Sequence, residues 1–125
     1  MFSHKIDKLR GVIFTQVSGT PTTVTIIDHI QRVMNDPDFD PEHNSLIVLD
    51  KSTTIAGIPK DKIVHLRAVL DGYAKQRTGR NCAVVVPNER LEVFLKINLE
   101  FISPVKFNIR VFNSKDDALN WLECK

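Results

Sequence analysis

The chain has few of the residues from which disulfide frameworks and metal sites are built. Only two of its 125 residues are cysteines, Cys82 and Cys124, and they lie far apart. Its histidines, at positions 4, 29, 43 and 65, have no partner at the short spacings that metal sites use. The sequence therefore predicts no metal and no other cofactor, and the sparse cysteines favour a reduced, cytoplasmic location.

Long apolar runs and an excess of one charge are also lacking. No stretch approaches the roughly 18 apolar residues of a membrane span, and no apolar core of a secretory signal peptide follows the amino terminus. The 17 Lys and Arg residues nearly balance the 15 Asp and Glu residues, leaving a net charge of +2. Since nucleic-acid binders usually carry a strong basic excess, we expect a protein that neither binds nucleic acid nor spans a membrane.

Glycine is equally sparse. The five glycines, at positions 11, 19, 57, 72 and 79, each stand alone, which excludes G-x-S-x-G, G-x-G-x-x-G and Walker-type phosphate loops. With no catalytic set of residues in the sequence, we predict that the protein is not an enzyme. No repeat and no Gly/Ser-rich linker divides the chain, so residues 1–125 are predicted to form one domain.

What the sequence does contain is an unbroken apolar run, Leu46-Ile47-Val48-Leu49, that ends on Asp50. Such a run predicts a strand buried on both faces at the centre of a parallel sheet. A second run, Cys82-Ala83-Val84-Val85-Val86, predicts a similar strand. Ligands of open α/β sheets bind beyond the carboxyl ends of the strands. The candidate binding residues after the first run are Asp50, Ser52, Thr53 and Thr54.

The remaining pattern predicts the order β-β-α-β-α-β-α-β-α. Strands at 3–8 and 12–18 form an antiparallel hairpin, and a first helix is expected to have Thr20 as its N-cap and Pro21 at its first position. A last strand ends near Val111, before an S-x-x-D capping box that begins at Ser114. We therefore expect an α/β fold with a mixed, mostly parallel sheet of about five strands and four main helices.

The third predicted helix has more apolar residues than one stripe can hold. Asn88 is its expected N-cap, and both Asn88 and Arg90 are candidate binding residues. The surplus apolar residues are Phe94, Ile97, Leu99, Phe101 and Ile102. A helix of this kind is buried in the core, contacts another chain such as a second copy, or lines an apolar cavity. These five residues are therefore candidates for an apolar interface or cavity wall.

Asp50 at the end of a buried strand is also the position of the phosphoacceptor in response-regulator receivers. The acidic pair and the lysine that a receiver needs are missing from the corresponding strand ends, Ser18-Gly19-Thr20 and Asn113-Ser114. Asp50 is instead predicted to cap the following turn. The hydroxyls of residues 52–54 are expected either to satisfy the local backbone or to bind a polar ligand or accept a phosphoryl group.

The sequence resembles the SpoIIAA-like (STAS-related) family of small cytoplasmic bacterial domains. The resemblance is carried by the two buried strands and by Arg110-Val111-Phe112 followed by Asp117-Ala118-Leu119-Asn120-Trp121-Leu122. It implies a (βα) superhelical α/β fold. The regulatory branch of the family is phosphorylated in a D-S-S-G motif after the central strand, and the corresponding residues 55–62 lack that serine.

Three functions are compatible with these observations. The leading hypothesis is a non-enzymatic cytoplasmic binding or regulatory domain that engages a partner protein or a small apolar ligand, with a homodimer possible through the third helix. The alternative is a phosphorylation-regulated switch, similar to an anti-sigma factor antagonist, that uses the hydroxyls of residues 52–54. The third is an enzyme with Asp50 as acid or base.

Overall fold

The computed structural model describes residues 2–54, 64–65, 68–69, 71–72, 80–93 and 108–123. The strands are β1 Phe2–Asp7, β2 Val12–Val17, β3 Asn44–Leu49, β4 Asn81–Val85 and β5 Asn108–Phe112. Two helices are described from end to end: α1 at Thr23–Met34 and the final helix at Lys115–Glu123. Among the described residues, no helix is long and apolar enough to cross a membrane.

The five strands form one sheet in the order β1-β2-β3-β4-β5. β1 pairs with β2 antiparallel, and every other neighbouring pair is parallel, which confirms the predicted mixed sheet with an amino-terminal hairpin. β3 lies at the centre, as its apolar sequence predicted. It begins at Asn44, two residues before the apolar run, because Asn44 and Ser45 pair with β2 through their backbones.

The hairpin between β1 and β2 is closed by local turn chemistry. The Asp7 carboxylate accepts the N–H groups of Leu9 and Arg10, both at 3.1 Å. Gly11 has φ of +65°, a conformation in which glycine avoids the strain of a side chain. The predicted hairpin is therefore present, with its turn between the two strands. β1 is an edge strand of the sheet.

The start of α1 differs from its prediction. The N-cap is Thr22 and not Thr20, so Pro21 lies outside the helix. The Thr22 hydroxyl accepts the N–H of Thr25 at 3.2 Å, while the Thr25 hydroxyl accepts the N–H of Thr22 at 2.8 Å. This reciprocal capping box satisfies two backbone donors at once, and the Thr20 hydroxyl is hydrogen-bonded to Thr54 instead.

The sheet has a buried side-chain layer on each face. We call the two sides the α1 face and the final-helix face, after the helices that lie on them. The buried residues of the α1 face are Val17, Leu49, Cys82, Val84, Val86 and Val111. Those of the final-helix face are Val12, Leu46, Ala83 and Val85, with Ala118 and Leu122 of the final helix. Because both faces are buried, β3 and β4 need apolar residues at successive positions.

The other two predicted helices are described only in part. Helical residues are present within 64–72 and at 89–93. The full extent of the second and third predicted helices lies outside the described residues. The helical segment at 89–93 follows Asn88, whose side-chain oxygen accepts the N–H of Leu91 at 2.9 Å. Ser114 likewise caps the final helix, since its hydroxyl accepts the N–H of Asp117 at 3.3 Å.

Candidate functional site

The loops that leave β2 and β3 lie side by side at the carboxyl edge of the sheet. The N–H of Asp50 donates to the carbonyl of Val17 at 3.0 Å, and the N–H of Thr54 donates to the carbonyl of Gly19 at 2.9 Å. These bonds continue the pairing of Val17 with Leu49 beyond the end of the parallel ladder. The hydroxyl-rich loop predicted from the sequence is therefore held in a fixed position next to residues 18–20.

Asp50 has the geometry of a turn cap. Its Oδ1 accepts the N–H of Ser52 at 2.8 Å and the Ser52 hydroxyl at 2.5 Å. The Ser52 hydroxyl is the main reason why the pKa of the Asp50 carboxyl lies below its usual value. A general acid or base near neutral pH needs the opposite shift, toward the operating pH. The arrangement therefore suits an ionised acceptor that shapes the loop.

The three hydroxyls after Asp50 have different surroundings. Thr53 is only 4% exposed and donates its hydroxyl to the carbonyl of Val17 at 3.0 Å. Ser52 and Thr54 are exposed, and the Ser52 hydroxyl accepts the N–H of Gly19 at 3.2 Å. Thr54 shares a 2.5 Å hydrogen bond with the hydroxyl of Thr20. All three hydroxyls thus link the two loops, and only those of Ser52 and Thr54 are accessible.

Replacing Ser52 with alanine should raise the pKa of the Asp50 carboxyl toward its usual value, because the variant lacks the hydroxyl that donates to Oδ1. An NMR pH titration of the Asp50 carboxyl carbon measures this shift. The control is Thr54→Ala, which removes a hydroxyl bonded to Thr20 and not to Asp50. A Ser52→Ala titration that matches the wild type would contradict the turn-cap geometry.

The other predicted site residues do not join this loop among the described contacts. Asn88 follows β4 at the same edge of the sheet, and its side chain is engaged in capping residues 89–93. Arg90 is exposed in the first turn of that segment. The apolar candidates Phe94, Ile97, Leu99, Phe101 and Ile102 lie outside the described residues. In the part of the chain that is described, no group of His, Cys, Asp or Glu side chains could hold a metal.

A second site lies on the final-helix face and was not predicted. It is an open basin of about 270 Å³ at the amino-terminal end of the final helix. The residues that line it include Ser3, Lys5, Phe14, Gln16, Val48 and Lys115. The register explains why they meet, since Ser3 pairs with Gln16, Lys5 with Phe14, and Gln16 with Val48. Strand alternation then places these side chains on one face.

The basin exists because the final helix covers only part of its face. That helix packs on β4 and also touches β3 and β5, and among the described elements it does not reach β1 or β2. Phe14 and Val48 are consequently only partly buried, beside a cluster that includes fully buried Leu46. The alternating pattern of β1 and β2 was available in the sequence, but the limited reach of the helix was not.

No family model and no curated protein sequence matches the chain. Its fold, however, is similar to the crystal structure of an uncharacterised protein of the DUF3478 family from Shewanella loihica PV-4, which has a SpoIIAA-like fold. The two proteins share 16% identity, with 98% of this chain and 92% of the other covered and a TM-score of 0.61. Likeness at this identity concerns the fold and not the activity. The chain thus has the SpoIIAA-like fold that its sequence resemblance implied.

Proposed function

We propose that the protein is a non-enzymatic, cytoplasmic regulatory domain that binds a small, largely apolar ligand in the basin of the final-helix face. The observation that carries this proposal is the partial cover of that face. Phe14 and Val48 form an apolar floor that is open to solvent, while polar groups such as Gln16 stand at its rim. Ligand sites generally combine an apolar lining with a few polar groups that fix orientation.

The position of the basin supports a binding role. Gln16 and Val48 lie near the carboxyl ends of the parallel strands β2 and β3, where ligands of open α/β sheets usually bind. Lys115 belongs to the final helix, so a bound molecule contacts both the sheet and this helix. Binding can therefore change how firmly the helix is held, which gives the domain a means of signalling occupancy.

The second candidate function is the phosphorylation-regulated switch. Exposure of the Ser52 and Thr54 hydroxyls supports it, whereas buried Thr53 is a poor acceptor for a kinase. A phosphoryl group on Ser52 would face the Asp50 carboxylate and replace the bond from the Gly19 N–H. Like-charge repulsion would then separate the two loops. Phosphosite mapping after incubation with cell extract tests this candidate, which fails if neither exposed hydroxyl is modified.

Gln16→Trp should weaken binding of a neutral apolar probe, 1-octanol, by about fivefold or more, because the indole fills the mouth of the basin. Chemical-shift changes of the backbone amides during a titration measure the affinity for the probe and show which residues the probe contacts. The matched control is Gln31→Trp, the same change at an exposed position of α1. Equal weakening in both variants, or shifts that avoid Phe14 and Val48, would contradict the proposal.

A further inference from the structure

Resting on the proposed function, we infer that the basin selects a small organic anion with an apolar body, the class to which a medium-chain carboxylate such as octanoate belongs. The juxtaposition that carries this inference is two lysines on one apolar floor. Lys5 comes from β1 and Lys115 from the first turn of the final helix, and both line the basin with Phe14 and Val48.

The charges of these two lysines are not neutralised by other described residues. Lys8 pairs with Asp38 at 2.8 Å, and Arg32 pairs with Asp28 at 3.0 Å. Neither Lys5 nor Lys115 forms an ion pair within the described part of the chain. Both lysines are exposed, so each contributes a modest, salt-dependent attraction to an anion, and two such charges beside the apolar side chains of Phe14 and Val48 act together.

Carboxylates do not line the basin. Asp116 and Asp117 follow Lys115 in the first turn of the final helix, but neither contributes to the lining. His4 and Thr15 also line the basin, but the His4 ring is hydrogen-bonded to Asp36 and the Thr15 hydroxyl to His29. Ser3 and Gln16 are exposed, and they offer a hydroxyl and an amide as hydrogen-bond donors. The site therefore presents donors and positive charge around an apolar floor, which is complementary to an anionic head group on an apolar body.

The volume of the basin indicates how much of a ligand the lining residues can contact. A basin of about 270 Å³ equals the volume of roughly nine water molecules in the liquid, at about 30 Å³ each. A ligand of on the order of ten non-hydrogen atoms fits this space, which is the size of octanoate. A long-chain lipid or a folded partner would extend well beyond the lining residues.

The test compares three probes with the same chain length: octanoate, 1-octanol and octyltrimethylammonium. We expect octanoate to bind about tenfold more tightly than 1-octanol and the cationic probe to bind most weakly. The double variant Lys5→Gln with Lys115→Gln should weaken octanoate binding by about tenfold, or about threefold per lysine, and leave 1-octanol unchanged. The control with the same loss of charge is Arg10→Gln with Lys51→Gln, at exposed positions that do not line the basin.

Each outcome has a distinct meaning. Octanoate shifts centred on residues 3–5, 14–16 and 48 that weaken in the basin variant alone support the inference. Equal affinity for octanoate and 1-octanol in the basin overturns the charge selection and leaves the proposed function standing. Equal weakening in both double variants shows a general charge effect and also overturns it. Absence of binding by every probe overturns the inference and the proposed function together.

Discussion

Leu46→Ala should lower the free energy of unfolding by about 3 kcal/mol. Leu46 has 0% exposure and lies between Phe14 and Ala83 in the central strand pairings. Its side chain packs in the layer that also contains Ala118 and Leu122 of the final helix. Alanine removes three carbon atoms from this layer, and the regular strands on both sides prevent the cavity from collapsing fully. Urea denaturation followed by circular dichroism measures the change.

The chain offers a matched control for this variant. Leu9 at the tip of the β1–β2 hairpin is 101% exposed, so Leu9→Ala makes the same chemical change without opening a cavity. The control should alter the free energy of unfolding by about 0.5 kcal/mol or less. Similar losses in both variants, or a loss below about 1 kcal/mol for Leu46→Ala, would mean that the central strand does not anchor the core.

The sheet could be predicted well from the sequence because strands that are buried on both faces consist of unbroken apolar runs. The apolar runs at 46–49 and 82–86 identified β3 and β4, and the alternation in residues 12–17 identified β2. The predicted element boundaries were less accurate where backbone pairing, and not side-chain burial, determines where an element begins. The start of β3 depends on pairing between Val12 and Asn44, and a polar residue at such a position carries no apolar signal.

Local chemistry in the candidate site could also be predicted. Asp50 was expected to cap a turn, and its bonds to Ser52 are short-range contacts that residue type and spacing indicate. The start of α1 shows the limit of such local rules. Residue type does not distinguish Thr20 from Thr22 as the N-cap, because both are threonines. In the structure the Thr20 hydroxyl bonds to Thr54, which is distant in sequence and therefore not visible to a local rule.

The basin could not be predicted from local patterns at all. Lys5 and Lys115 are 110 positions apart in the chain, and they meet because β1 lies at the sheet edge while the final helix returns across β4. Nothing in either segment indicates where the other lies. The apolar third helix, the strongest lead in the sequence, stays a prediction because residues 94–102 lie outside the described part of the chain.

The free energy of unfolding should fall by about 1–2 kcal/mol as the pH drops from neutral to about 4, with His29 as the principal cause. The His29 ring stacks on Phe2 with centroids 4.8 Å apart, and its Nε2 lies 3.2 Å from the Thr15 hydroxyl. Burial lowers the pKa of His29 to about 4 from 6.5, and the positive charges of His4 and Arg32 add to this effect.

The sign follows from proton uptake by the two states. Unfolded chains bind a proton at His29 near pH 6.5, whereas the folded protein does so only near pH 4. Between these values the unfolded state binds more protons, so the stabilisation is complete above pH 6.5 and declines as the pH falls. A pKa difference of this size corresponds to about 3 kcal/mol, and solvent screening of a ring that is not fully buried reduces the expected effect.

Denaturant titrations of wild type and His29→Gln across this pH window measure the contribution. The variant should have a shallower decline, since glutamine does not titrate and can still bond to the Thr15 hydroxyl. His65→Gln is the matched control, because His65 is exposed and the substitution should leave the wild-type decline intact. An identical decline in wild type and His29→Gln would show that His29 is readily protonated in the folded protein. The contact of α1 with β1 and β2 would then not require a neutral imidazole.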